Sequence, residues 1–130
     1  MIRVGVIGYG YWGPNIVRNL HLLDSTTVAC VCDSSEKALA RVRKAYPSVR
    51  TCTDSREILT AADIDAIAVI TPVWTHYDLA KAALQNGKHV FVEKPFTASA
   101  KQAFGIRRQP RFRLRAWTSI RSACVRAGRT

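Results

Sequence analysis

One glycine-rich turn, residues 8–13 with the sequence GYGYWG, constrains the fold of this 130-residue chain more than any other feature. An apolar strand at residues 2–7 precedes the turn. A helical pattern follows it, with apolar residues at positions 16, 17, 20 and 23. A second apolar strand runs from Thr27 to Cys32 and ends at Asp33, twenty residues beyond Gly13. This order of elements predicts a βαβ unit that binds a dinucleotide.

The glycines of the turn have different expected tasks. Gly8 permits a tight turn off the strand, and Gly10 lets the backbone approach a pyrophosphate because it has no Cβ. Gly13 lets the helix pack closely on the strand. The start of that helix offers unpaired N–H groups and a partial positive charge to phosphates. We therefore expect these glycines, with Tyr11 and Trp12, to contact the cofactor. Trp12 either covers the pyrophosphate or packs as an ordinary loop aromatic.

Asp33 indicates which dinucleotide the turn binds. A carboxylate at the end of the second strand can accept hydrogen bonds from the adenosine ribose hydroxyls, and it repels a 2′-phosphate. The sequence therefore predicts NAD rather than NADP. The alternative is a coincidental acid in an ordinary α/β protein, and the spacing between strand, turn and acid favours the cofactor site.

The rest of the chain alternates helices and strands. Further strands are predicted at residues 49–52, 66–70 and 89–92, and a last helix is predicted to begin near residue 97 or 99. Ser34 is a candidate N-cap for the helix after Asp33. Such alternation predicts an α/β fold, a doubly wound parallel sheet of the Rossmann type. We expect the sheet to be incomplete and to be followed by an irregular C-terminal tail.

Two polar segments follow the last two predicted strands. Thr71, Pro72 and His76 come after the first of these strands, and a Glu-Lys-Pro triplet at residues 93–95 comes after the second. Open α/β sheets bind ligands at the carboxyl ends of their strands, so both segments are expected at the cofactor crevice. His76 either contacts that crevice or has a structural role in its helix.

With these motifs, residues 1–102 resemble the glucose–fructose oxidoreductase / inositol dehydrogenase / MocA family of dehydrogenases. The resemblance rests on the glycine turn, Asp33, the Thr-Pro segment with its histidine, and the run from Gly87 into the triplet at residues 93–95. It implies NAD as cofactor and hydride transfer from a secondary alcohol of a sugar. The glycine turn looks most like that of members that oxidise nucleotide sugars.

The resemblance also implies roles for the triplet. Lys94 would be the catalytic lysine, which reaches the substrate hydroxyl beside the nicotinamide, and Glu93 would position it and border the cofactor. A lysine at this place can share a proton with a developing alkoxide. For Lys94 alone, the alternative is a solvated surface residue. Family members continue into a second domain that holds the sugar, and residues 103–130 show no counterpart, so we expect this chain to be inactive alone.

The net charge of +11 is distributed unevenly. Residues 1–102 hold 12 Lys and Arg against 9 Asp and Glu, whereas residues 103–130 hold 8 Arg and no acidic residue. Composition thus separates a dinucleotide-binding domain, residues 1–102, from an Arg-rich tail, residues 103–130, which is either translated out of frame or disordered. The alternative function is a nucleic-acid or acidic-surface binding module that uses these arginines. We favour the dehydrogenase-type domain, because the tail has no folded frame on which to place its charges.

The remaining features exclude other classes of protein. No apolar run reaches the roughly 20 residues that span a bilayer, so no membrane segment is predicted. The four cysteines complete no metal-ligand spacing, so no metal is predicted, and unpaired thiols indicate the cytoplasm. We expect the side chains of Cys30 and Cys32 on opposite faces of their strand. The sequence is also compatible with a homo-oligomer.

Overall fold

The structure is a computed structural model that describes residues 1–109. Its strands are β1 (Ile2–Ile7), β2 (Thr26–Cys32), β3 (Arg50–Cys52), β4 (Ala66–Val69) and β5 (His89–Val92). Its helices are α1 (Gly13–His21), α2 (Glu36–Ala45), α3 (Ser55–Thr60), α4 (Val73–Gln85) and α5 (Ala100–Arg107). Among these helices none is long and apolar enough to cross a membrane.

The strands form one parallel sheet in the order β3-β2-β1-β4-β5. Val6 of β1 pairs with Val31 of β2 on one side and with Ala68 of β4 on the other. The chain winds outward from β1 to β3 and then returns to the other side of β1 for β4 and β5. The winding direction therefore reverses between β1 and β4, and the crevice at their carboxyl ends is where such sheets bind ligands.

Helices cover both faces of the sheet. One face packs against α1 and α2 through Val4, Val6, Ile16, Val17, Val28, Val31, Ala38 and Val42. The other face packs against α3 and α4 through Ile7, Ala29, Cys30, Cys32, Ile58, Leu59, Ile67 and Ala83. Strands buried on both faces are almost continuously apolar, as β4 is. The predicted doubly wound α/β fold is confirmed.

Two helix boundaries in the structure differ from those predicted from the sequence. Ser35, rather than Ser34, is the N-cap of α2, and its hydroxyl accepts a hydrogen bond from the amide of Ala38 at 3.3 Å. Helix α1 ends at His21, so Leu23 lies outside it and is 45% exposed. Periodicity cannot distinguish these positions, because neighbouring serines can both cap a helix and a loop leucine continues the apolar spacing by chance.

Helix α5 crosses the boundary that composition suggested between residues 102 and 103. Ser99 is its N-cap, and Ile106 is buried against Ala80 and Leu84 of α4. The packed part of the chain therefore continues through Arg107. Composition misses this because a surface helix can bury one apolar face and carry its charges on the other. The predictions for residues 110–130, out-of-frame translation or disorder, lie outside the described residues.

Three thiols lie together between β2 and β3. Cys30 and Cys32 belong to the same core cluster, and the Sγ atoms of Cys30 and Cys52 are 3.8 Å apart. The prediction that Cys30 and Cys32 face opposite sides is wrong, because residues two apart in a strand share a face. Burial raises the pKa of the Cys30 thiol to about 12 and also raises that of Cys32. Both thiols therefore stay protonated at neutral pH.

Candidate cofactor site

The turn after β1 requires a glycine at position 8. Gly8 has a φ of +104°, and its amide donates to the carbonyl of Cys32 at 2.8 Å. A Cβ at this position would lie 2.6 Å from the carbonyl oxygen of Ile70, just after β4. The backbone conformation and the close contact both exclude a side chain. Gly8 therefore holds the turn tightly against the end of β4.

Gly13 and Gly10 differ in their surroundings. A Cβ on Gly13 would lie 2.7 Å from the carbonyl oxygen of Gly8, so the start of α1 packs directly on the turn. A Cβ on Gly10 would meet no atom within 4 Å, and its φ is not in the left-handed region. No contact in the described chain therefore requires glycine at position 10. Its missing side chain instead leaves the backbone open to an approaching molecule.

Two helices begin beside this crevice without a side-chain cap. Helix α1 begins after Trp12 and α4 after Pro72, and neither N-cap residue makes a side-chain hydrogen bond to the helix. Ser35, Asp54 and Ser99 cap the other described helices with their side chains. A side-chain N-cap contributes about 1 kcal/mol. Its absence at α1 and α4 leaves amide donors and the positive ends of two helix dipoles available to an anion.

Asp33 lies half-buried immediately after β2. Its Oδ2 accepts a hydrogen bond from the amide of Tyr9 at 2.7 Å, and its Oδ1 accepts one from the amide of Ser35 at 2.8 Å. The carboxylate therefore joins the glycine turn to the start of α2. Each carboxylate oxygen can accept a second hydrogen bond, as from a ribose hydroxyl. The structure thus places Asp33 beside the turn and adds a role that the sequence did not predict, the fixing of the turn.

Arg41 of α2 is a residue of this region that the sequence did not reveal. Its Nη2 donates to the carbonyl of Tyr9 at 2.9 Å, and its guanidinium lies 5.4 Å from the centroid of the Tyr9 ring. Burial raises the pKa of the Tyr9 phenol, and the charge of Arg41 partly offsets this. The amide and the carbonyl of Tyr9 are thus bound by Asp33 and Arg41 respectively. An arginine on a helix surface is usually solvated, so its position in the sequence gives no signal of this contact.

Tyr11 and Trp12 lie on the outer side of the turn. They are 85% and 53% exposed, and their rings meet edge to face with centroids 5.2 Å apart. Trp12 is therefore not buried in the core as a packed loop aromatic would be. Trp74, in the first turn of α4, is also exposed. The geometry leaves these apolar rings available at the carboxyl edge of the sheet.

Thr71 and Pro72 form the link from β4 to α4. The hydroxyls of Thr71 and Thr75 are 2.6 Å apart, and the carbonyl of Pro72 accepts hydrogen bonds from the amide and the hydroxyl of Thr75. The Cβ position of Gly8 lies 3.1 Å from the amide nitrogen of Thr71. This link therefore borders the glycine turn, where the sequence predicted it.

His76 is 1% exposed and lies in the first turns of α4. Its Nε2 is 2.7 Å from the carbonyl oxygen of Thr71, and its Nδ1 is 2.9 Å from that of Pro95. A neutral imidazole carries one N–H, so the ring donates to both carbonyls at once only when it is protonated. This geometry agrees with the structural alternative for His76, because backbone carbonyls occupy both nitrogens and the ring has almost no exposed surface.

Lys94 is exposed at the carboxyl end of β5, and Glu93 beside it is half-buried. The amide of Glu93 donates to the carbonyl of Val69 at 3.0 Å, and the bond between Lys94 and Pro95 is cis. Within residues 1–109, neither a hydrogen bond nor an ion pair joins the side chains of Glu93 and Lys94. The structure therefore brings Lys94 to the predicted edge without the expected contact from Glu93.

These features define a dinucleotide-binding domain: a parallel sheet whose switch point carries a glycine turn, an uncapped helix and an acid after the neighbouring strand. Residues 2–109 match the GFO/IDH/MocA family model, described as oxidoreductase family, NAD-binding Rossmann fold. The chain belongs to this family. The resemblance and the NAD-binding fold predicted from the sequence are both confirmed.

Similar proteins include the oxidoreductase YdgJ of Escherichia coli, which is 39% identical over 102 residues covering 78% of this chain and 29% of YdgJ. The scyllo-inositol 2-dehydrogenase (NAD(+)) of Bacillus subtilis is 32% identical over 103 residues covering 78% of this chain and 30% of that protein. The crystal structure of a 3-ketoreductase from Actinomadura kijaniata in complex with NADP and TDP-benzene has a TM-score of 0.75 and 28% identity, covering 81% of this chain and 32% of its own. This chain thus spans less than a third of the length of each.

Proposed function

We propose that this chain is the cofactor-binding part of an oxidoreductase that moves a hydride between a secondary alcohol of a sugar or nucleotide sugar and NAD. The carboxyl edge of the sheet carries the proposal: α1 and α4 begin there without side-chain caps, and Gly10 leaves the backbone open. Such an edge suits a diphosphate, because amide donors and helix dipoles favour negative charge. The relatives named as an inositol dehydrogenase and a 3-ketoreductase support the substrate class.

Each part of the edge has a task in this proposal. The turn at residues 8–13 and the start of α1 hold the pyrophosphate, and Asp33 accepts hydrogen bonds from the adenosine ribose. Lys94 exchanges a proton with the substrate hydroxyl. NAD, when bound, supplies the hydride acceptor. The side chains that border the bound cofactor are Tyr11, Trp12, Thr71, Pro72 and Glu93.

Discrimination between the two pyridine nucleotides tests the role of Asp33. NADH and NADPH are titrated into the 130-residue chain, and binding is followed by nicotinamide fluorescence. We expect NADH to bind about tenfold more tightly or better, equivalent to about 1.4 kcal/mol, because the carboxylate repels the 2′-phosphate. Asp33→Asn is the matched variant, since it removes the charge and keeps one oxygen as an acceptor. It should reduce the preference, whereas equal or tighter NADPH binding by the unmodified chain would contradict the role of Asp33.

Location and partners complete the proposal. The thiols of Cys30, Cys32 and Cys52 are unpaired, which supports the cytoplasm because a reducing compartment maintains free thiols. Self-association stays a prediction that sedimentation velocity measures. The nucleic-acid alternative ranks second, because residues 2–109 match the model of the NAD-binding domain. Salt-dependent retention on DNA that disappears when residues 110–130 are removed would favour that alternative.

A further inference from the structure

We infer that His76 is a positioning residue, which holds the Lys94–Pro95 segment against α4 and thereby sets where Lys94 lies at the cofactor edge. The inference rests on the proposed function, in which Lys94 meets the substrate beside the nicotinamide. It assigns His76 no contact with cofactor or substrate.

Backbone pairing ends just before Lys94. Within residues 1–109, the bond from the Glu93 amide to the Val69 carbonyl is the last backbone bond that pairs this end of β5 with β4, and backbone–backbone bonding resumes at Ser99, the N-cap of α5. Within the described chain, the contact between His76 and the Pro95 carbonyl is the one hydrogen bond that joins residues 94–96 to another element. The position of Lys94 therefore depends on this bond and on the apolar packing of Phe96 against α4 and α5.

The other side of the imidazole ring contacts Thr71, which in turn packs against the glycine turn. Nε2 contacts the carbonyl of Thr71, and the amide of Thr71 lies against the position of Gly8. His76 therefore connects the segment that carries Lys94 with the β4–α4 link, and that link contacts the turn that would hold the pyrophosphate. A rigid ring with nitrogens on two sides can span these two carbonyls, and an apolar side chain would remove both contacts.

Two near-isosteric variants separate the two contacts. The amide of His76→Asn lies where Nδ1 was, so it can still donate to Pro95, whereas the amide of His76→Gln reaches the place of Nε2 and can donate to Thr71. Both variants remove the ring. If His76 positions Lys94 through Pro95, the glutamine variant should misplace Lys94 and the asparagine variant should not.

The NMR signals of ¹³C-dimethylated lysines report the position of Lys94 in the 130-residue chain, with Lys94→Arg as the assignment control. We expect saturation with NADH to shift the Lys94 signal in the unmodified chain and in His76→Asn. In His76→Gln most of this shift should be lost, because the effect of the nicotinamide ring on a nearby NMR signal falls steeply with the distance between them. Binding of ADP-ribose, which lacks the nicotinamide, should stay within about twofold in both variants. If His76→Gln loses ADP-ribose affinity by the same factor as it loses the NADH-induced shift of Lys94, His76 has a merely structural role and the inference is overturned.

An undiminished shift in His76→Gln, or an equal loss in both variants, would also overturn the inference. Failure of the unmodified chain to bind NADH would instead overturn the proposed function. In that case the backbone amide signals of Lys94 and Phe96 in ligand-free protein test the inference. Their chemical shifts should change in His76→Gln and should remain those of the unmodified chain in His76→Asn. If a variant does not fold, the unmodified chain decides: a scalar coupling between Nδ1 of His76 and the carbonyl carbon of Pro95 is expected, and its absence would overturn the inference.

Discussion

Replacement of Gly8 by alanine should lower the free energy of unfolding by about 2–5 kcal/mol. The new methyl would lie 2.6 Å from the carbonyl oxygen and 2.7 Å from the carbonyl carbon of Ile70, which are backbone atoms at the end of β4. A residue with a side chain at a φ of +104° costs about 1–2 kcal/mol. The shift of backbone that relieves the contact costs about 1–3 kcal/mol more.

Thermal unfolding followed by circular dichroism measures this loss. About 4 °C of melting temperature corresponds to each kcal/mol in a domain of roughly this size, so we expect a decrease of about 8–20 °C. Gly10→Ala is the matched control, because its methyl meets no atom within 4 Å. That variant should stay within about 0.5 kcal/mol of the unmodified chain. Equal melting temperatures for Gly8→Ala and the unmodified chain would refute the reasoning from the turn geometry.

Three further predictions concern the core, the last helix and catalysis. Burial raises the pKa of the Cys30 thiol to about 12, so the contribution of the neutral thiol to stability is complete below about pH 8.5, the pKa of an exposed thiol, and is lost as the pH rises towards 12. Urea unfolding between pH 7 and 11 should therefore show a smaller decline in the free energy of unfolding for Cys30→Ala than for the unmodified chain. Identical declines in the two proteins would contradict this. Hydrogen exchange should show the amide of Ile106 protected like those of α4, because α5 packs against α4. Rapid exchange at Ile106 would instead indicate that the packed domain ends at residue 102. The 130-residue chain should oxidise inositols and nucleotide sugars negligibly, since Lys94 alone cannot orient a sugar; clear NAD-dependent turnover would contradict this.

The fold could be predicted from local patterns because each element carries its own signal. Strand β5 occupies the predicted residues 89–92, since an apolar run follows Gly87, the positive-φ residue just after α4, and ends before the charged triplet. The glycine turn was predictable for a similar reason, because it combines a steric requirement at Gly8 with an open backbone at Gly10. Both requirements belong to residues that are neighbours in sequence.

The contacts of the site that the sequence did not predict join residues that are distant in sequence. The contact between Arg41 and Tyr9 spans 32 residues, and the contact between His76 and Pro95 spans 19. Neither pair has a spacing that predicts it, because the sheet and the packing of α2 and α4 bring the partners together. The end of the packed region could not be predicted from charge, since Ile106 is buried in a helix whose last turn is basic.

Calorimetric titration of NAD into the unmodified chain and into Gly10→Ala tests most directly whether the glycine turn holds the cofactor. Gly10 has open space beside it and an unstrained backbone, so its replacement should leave the fold intact and place a methyl where a pyrophosphate would approach. We predict saturable binding of one NAD per chain and a loss of affinity of about tenfold or more in the variant, equivalent to about 1.4 kcal/mol or more. Absence of saturable binding by the unmodified chain, or equal affinity in Gly10→Ala, would contradict the account.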